Sequence, residues 1–180
     1  MILIMKKANW NRLKFPAITL SAIVFSVAVM NAAGIRINWT PSEPMGIYRV
    51  QPVSVGIARG DIIEFCYEGT INRYMTHGVC PNGSAPFFKS VAAVPGDMVV
   101  VGDAGVLVNG VMLPDSRPLL RSVTDPSLTL PFLRGRFQLD QGQYWSYGSG
   151  MPGRSYDSRY FGPVEVGSIR SVAKAKIKPQ

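Results

Sequence analysis

The chain has 180 residues, 47 % of them hydrophobic and 17 % charged, with a formal net charge of +8. That length accommodates one compact domain and a short appendage, and the apolar content excludes a disordered chain. Two cysteines and a single histidine, His77, exclude the common four-ligand zinc sites.

The apolar excess is concentrated early. No charged residue occurs from Phe15 to Ile35, a run of 21 positions, which is long enough to cross a hydrocarbon core of about 30 Å as a helix. Lys6, Lys7, Arg12 and Lys14 precede it with no acidic residue. The positive-inside rule then places residues 1–14 in the cytoplasm and residues 36–180 on the far side. An uncleaved signal anchor over 15–35 is preferred to a cleaved signal peptide, because no A-x-A pattern leads into Ala32, Ala33 and Gly34. A buried globular helix is disfavoured by the basic flank.

Removing the four early basic residues leaves 15 Lys and Arg against 11 acidic residues. The 15 are scattered apart from the tail "AKAKIKP", so no concentrated basic face predicts a nucleic-acid partner. The residual surplus suits anionic lipid headgroups and equally an ordinary solvated surface.

Beyond residue 36 short strands are expected, in "GIYRV", "GDIIEF" (60–65), "FFKSVAAV" (87–94), "MVVV", "VLVNGVML", "RFQLD" and "YWSYG". Asn109-Gly110 is the tight turn of a hairpin. Residues 66–84 read as a polar loop held by Cys66 and Cys80, free thiols or a disulfide. Export to an oxidising compartment favours the bond, which at this loop length stabilises by roughly 3 kcal/mol. No helical period follows residue 36, the pattern weakens around 115–135, and residues 112–135 and the basic tail suggest no function. The reading is a mostly β, antiparallel domain behind one transmembrane helix.

Three stretches offer chemistry. "NWTPSEPMGIYRV" (38–50) sets Thr40 and Ser42 close to the end of the apolar run. His77 sits in the polar cysteine loop without a motif and reads as a surface residue. A serine nucleophile without histidine can use a neutral lysine as base, provided that burial removes the charge of the amine. Lys89, the only lysine between Lys14 and Lys174, lies within the apolar "PFFKSVAAV" and shares a strand face with Phe87 and Val91. The competing reading is an edge-strand lysine that snorkels to water. In "GRSYDSRYFGPV" (153–164) a hydroxyl can hold a neutral amine, and Asp157 with Arg159 can brace the loop. Otherwise this stretch is a polar turn with a weak surface ion pair.

In their order, Thr40 to Pro44, "RGDIIEF" (59–65), "FFKSVAAVPGD" (87–97), the Asn109-Gly110 turn and "SYDSRYFGPV" (155–164) resemble the S26 family of signal peptidases, membrane-anchored Ser–Lys proteases. The spacing N-x-T-x-S-x-P-x-G-x-Y and the paired cysteines with "CPNG" (80–83) are similar to its TraF-type conjugative transfer peptidases. The resemblance implies a signal-peptidase-like fold with Ser42 as nucleophile, Lys89 as general base, and Thr40 with the Ser42 amide as oxyanion donors. Ser155 would position the lysine, and Asp157 and Arg159 would brace the loop. It implies no metal or cofactor, a pilin-like precursor as substrate, hydrolysis or cyclisation of the product, and a bacterial inner-membrane location with the domain in the periplasm. A threonine stands where many signal peptidases have serine, and "GSGMPGR" replaces the usual glycine-asparagine pair. The alternatives are a general type I signal peptidase and a non-catalytic anchored scaffold of a secretion or conjugation apparatus.

Overall fold

A computed structural model describes residues 10–70, 75–123, 125–151 and 155–174, without the side chains of residues 10–15 and 17. Lys6, Lys7, Arg154 and the end of the basic tail lie outside the described residues. The chain divides into two units, Met1–Arg36 and Ile37–Gln180.

In the first unit, helix α1 runs from Trp10 to Ala32 and overlaps the expected span 15–35. Ile18, Leu20, Ile23, Val24, Phe25, Val27 and Val29 are exposed along it. Among the described residues, no helix is long and apolar enough to cross a membrane.

The second unit is built from antiparallel strands. β1 (Ile35–Asn38) and β2 (Gly46–Arg49) form a two-stranded ribbon on either side of the Thr40–Pro44 turn. The main sheet contains β3 (Ile62–Phe65), β4 (Phe87–Ala93), β9 (Gln143–Tyr147), β10 (Val164–Glu165) and β11 (Ile169–Ala173), in the order β10-β9-β4-β3-β11. A second sheet has the order β7-β6-β5-β8, from β5 (Met98–Gly102), β6 (Gly105–Val108), β7 (Val111–Met112) and β8 (Gly135–Gln138). Burial alternates along β4 and β5 with the period of two of an extended strand.

β4 links two cores. Val91 packs with Ile63, Phe65, Val164, Ile169 and Val172, whereas Ala93 packs with Val99, Val101, Val106, Val108, Leu139 and Trp145. The register against β9 shifts between Val91 and Ala93. Such a bulge re-aims the strand, and here it lies where the strand passes from one core to the other.

Three sequence motifs meet at one corner. Asp97 of "PGD" accepts hydrogen bonds from Arg59 of "RGD" at 2.6 Å, from the Val94 N–H at 2.8 Å and from Asn109 Nδ2 at 2.7 Å. Burial works against the Asp97 charge, but these three donors outweigh it and hold the carboxyl below its ordinary range. Asn109 and Gly110 have φ of 49° and 83°, the signature of a two-residue hairpin turn. This turn joins β6 to β7, not β5 to β6, so "MVVV" and "VLVNGVML" make two successive hairpins where one was expected.

Other differences concern short or distant elements. β11 pairs with β3 across more than 100 residues of chain, and its "IRSVA" was not expected as a strand. α2 (Ser158–Phe161) is a single turn, capped by Asp157, in a region expected to be loop. The Cys66–Cys80 disulfide is formed, with Cα atoms 5.5 Å apart, and His77 in its loop is exposed. Residues 112–135 are largely irregular, with an isolated bridge between Arg121 and Thr129.

Candidate active site

The Thr40–Pro44 turn is organised by a residue that the sequence reading left without a role. Asn38 is buried, and its Nδ2 donates to the carbonyls of Thr40, Glu43 and Pro44 at 2.9, 3.0 and 3.2 Å. Its Oδ1 accepts from the Thr40 N–H at 3.1 Å and the Thr40 hydroxyl at 2.8 Å. One amide side chain thus satisfies three carbonyls, one N–H and one hydroxyl of a tight turn that has no ladder partners. Tyr48 closes the far side, donating its hydroxyl to the Pro44 carbonyl at 2.5 Å. This accounts physically for Asn and Tyr at the two ends of N-x-T-x-S-x-P-x-G-x-Y.

Ser42 is half-buried, and its Oγ lies 3.3 Å from Thr40 Oγ1. Thr40 directs its single hydroxyl proton to Asn38, an atom that can only accept. To serve an oxyanion, that proton must rotate away from Asn38.

Lys89 stands on the middle strand of five, opposite Ile63 on β3, and is 6 % exposed. A central strand rules out the edge-strand lysine as an alternative. Burial pushes the Lys89 amine down to about 8; the charges of Asp157 and Glu43 pull it back up and that of Arg159 pushes it further down. Its Nζ lies 5.9 Å from the centroid of the Phe87 ring. Among the described residues, no hydrogen bond joins Lys89 Nζ to Ser42 or to Ser155. Catalytic contacts of this kind are often long before substrate arrives.

Asp157 and Arg159 are completely buried and paired through two bonds, Nε to Oδ1 at 2.8 Å and Nη2 to Oδ2 at 2.9 Å. Arg159 also donates to the Ser155 carbonyl at 3.2 Å, and its guanidinium lies 5.1 Å from the centroid of the Tyr147 ring. Burial opposes the Arg159 charge, but the bonds and charge of Asp157 outweigh it and keep the group above its ordinary value. Asp157 Oδ2 accepts the Gly148 N–H at 3.0 Å, which ties this loop to the end of β9. The Ser155 hydroxyl is buried with no partner among the described residues.

The end of β9 and the residues after it, "YGSGM" (147–151), bring these pieces together. A Cβ on Gly148 would fall 2.1 Å from Ser155 Oγ and 3.2 Å from the Ser42 carbonyl oxygen. One on Gly150 would fall 2.6 Å from the Glu43 carbonyl carbon. Two glycines are therefore required where the loop presses on the Ser42 turn, and the Gly150 N–H donates to the Ser42 carbonyl at 3.0 Å. Glycine spacing in a polar loop was the only sequence signal of this approach. A separate cleft of about 250 Å³ is lined by Phe65, Tyr67, Phe161 and Val164 under the disulfide, and none of Ser42, Lys89, Ser155, Asp157 or Arg159 lines it.

The family model described as "Signal peptidase, peptidase S26" matches residues 7–178. The chain is 37 % identical over 160 residues to a "Probable conjugal transfer protein TraF" of Sinorhizobium fredii, covering 85 % of this chain and 82 % of that protein. It is 35 % identical over 164 residues to a "Conjugal transfer protein TraF" of Agrobacterium tumefaciens, covering 85 % and 89 %. A solved signal peptidase I from Enterococcus faecalis aligns with 66 % of this chain and 97 % of its own at 25 % identity, with a TM-score of 0.37. On these matches the chain belongs to the S26 family of signal peptidases, in its TraF-type subgroup.

Proposed function

We propose that the chain is a Ser–Lys endopeptidase that matures an exported, pilin-like precursor for conjugative transfer. It is anchored through residues 15–35 in the bacterial inner membrane, with its β domain in the periplasm. The observation that carries the catalytic reading is Lys89, buried on a central strand with its amine brought to about 8. At pH 7 about one molecule in ten then holds that amine neutral. The anchor is supported by the 21 uncharged residues with their basic flank and by the exposed apolar side chains of α1. The disulfide fits an oxidising compartment, and the transfer proteins named above support the conjugative role.

In this mechanism Lys89 takes the Ser42 hydroxyl proton as Oγ attacks the scissile carbonyl. The Ser42 N–H and the Thr40 hydroxyl, rotated off Asn38, stabilise the oxyanion; losing one such donor costs roughly 3–4 kcal/mol of barrier. The lysine ammonium then protonates the leaving amine, and the acyl-enzyme is released by water or by an amine of the substrate itself. Ser155 receives the lysine amine, which supplies its orphaned hydroxyl with a partner. Asp157 and Arg159 hold the loop that carries Ser155.

The test is the intact mass of a co-expressed candidate precursor in membranes carrying the wild-type chain or Ser42→Ala. A mass loss that requires Ser42 supports the proposal, and a further deficit of one water identifies cyclisation. Cleavage that survives Ser42→Ala removes Ser42 as nucleophile. An unchanged mass with folded enzyme, across several precursors, favours the scaffold.

A further inference from the structure

Glu43, next to Ser42 in the chain, is 1 % exposed, although an acid between two turn residues would ordinarily be solvated. We propose that Glu43 is a positioning residue: its carboxylate latches the Ser42 turn onto the strand that carries Lys89, and its charge acts on the Lys89 amine. This rests on the Ser–Lys reading above.

The latch is visible in the hydrogen bonds. Glu43 Oε1 accepts the backbone N–H groups of Ser90 at 2.8 Å and Ser149 at 3.2 Å. Oε2 accepts the hydroxyls of the same two serines at 2.8 and 2.6 Å. The last pairing of β4 with β9 is Ser90 with Tyr147, so the two serines flank the point where the strands part. There a carboxylate replaces the missing ladder and satisfies both backbone donors. Ser90 directly follows Lys89, and Ser42 directly precedes Glu43. One side chain therefore sets the register between the nucleophile turn and the base strand.

The charge is equally specific. Asp157, the cap of α2, and Arg159, within it, both act on Lys89, but they are paired to each other by two bonds and act with opposite sign. Opposite Lys89 on β3 is Ile63, which has no charge. Tyr147 of β9 has its hydroxyl pushed up to about 12 by burial and is neutral at working pH. Glu43 is held by neutral donors and makes no ion pair among the described residues; its charge raises the Lys89 amine, after that of Asp157 and against that of Arg159. Removing it favours the neutral amine at lower pH.

Two measurements on the full chain in detergent micelles test this: the pH titration of the lysine side-chain ¹³Cε signals, with Lys89 assigned by its loss in Lys89→Met, and amide hydrogen exchange. In Glu43→Gln the Lys89 midpoint moves to lower pH, and the Ser90 and Ser149 amides exchange roughly tenfold faster, because a neutral acceptor replaces a charged one. In Glu43→Asp, which keeps the charge but shortens the reach, the amides also exchange faster while the midpoint remains near the wild-type value. An unchanged midpoint in folded Glu43→Gln overturns the electrostatic part. Wild-type exchange at Ser90 and Ser149 in both variants overturns the latch. If Glu43→Gln does not fold, Glu43→Asp decides the latch, and Glu43→Ala, which removes the carboxylate altogether, decides the charge: a Lys89 midpoint unchanged from wild type in that variant overturns it. Neither readout needs a precursor. Processing that survives Ser42→Ala would end the Ser–Lys reading and leave these results standing.

Discussion

The two sheets of the second unit solve opposite problems. The β7-β6-β5-β8 sheet buries Val99, Val101, Val106 and Val108, none of them polar. The β10-β9-β4-β3-β11 sheet and the loops at its end bury Lys89, Ser146, Ser155, Asp157, Ser158 and Arg159, with Glu43 against them. Burying apolar area stabilises at roughly 25 cal/mol per Å², whereas burying charge costs free energy that pairing only partly returns. Both sheets bury apolar side chains, but the sheet that carries Lys89 also holds charged groups in states that water would not permit.

The comparison is sharpest if the two regions respond differently to substitution. Ser42→Ala and Lys89→Met should each reduce precursor processing roughly 1000-fold or more. Lys89→Met should at the same time leave the thermal midpoint unchanged or raise it, because it removes a buried amine. A large fall in its melting temperature would show that Lys89 is structural, and the contrast between the sheets would fail.

Arg159→Met is expected next. It leaves Asp157 buried without its cation, at a cost of roughly 3–5 kcal/mol in denaturant unfolding; a change below 1 kcal/mol would mean that water reaches Asp157 freely. Val106→Ala, in the other sheet, should cost about 2 kcal/mol and leave the processing rate of the folded fraction unchanged. A rate that falls with Val106 would couple the two regions more tightly than their separate cores suggest.

The smallest effects are in pH. Processing should rise with pH and level off above about 8, as Lys89 loses its proton. For stability, the folded-state value lies below the ordinary 10.5, so between about 8 and 10.5 the unfolded chain binds more protons than the folded one. Stability relative to Lys89→Met should therefore increase with pH across that window, with the penalty fully present below it. A flat difference in melting temperature from pH 8 to 10.5 would place the amine in water.

Much of this was legible from local pattern. Strands β3, β4, β5 and β9 are short apolar or aromatic runs bounded by turn residues, and Asn109-Gly110 is a turn because few other pairs take positive φ so readily. Lys89 stood out because a lysine is rare within an apolar strand, and the Asp157-to-Arg159 spacing suggested a pair. Their depth was not legible. A short apolar run cannot distinguish a central strand from an edge, and that distinction separates an amine brought to about 8 from one left in water.

What the sequence alone determined, then, was the inventory: a β domain after an uncharged run, a serine–lysine pair in a familiar order, and two cysteines spaced for a loop. Only the tertiary structure decided which groups meet. The donors to Glu43 lie 47 and 106 residues away along the chain, and β11 reaches β3 across a similar distance. Nothing local to "PSEPMG" distinguishes that acid from a solvated one. Its burial depends on two strands parting beside it, because a carboxylate can leave water only where donors have already been assembled to receive it.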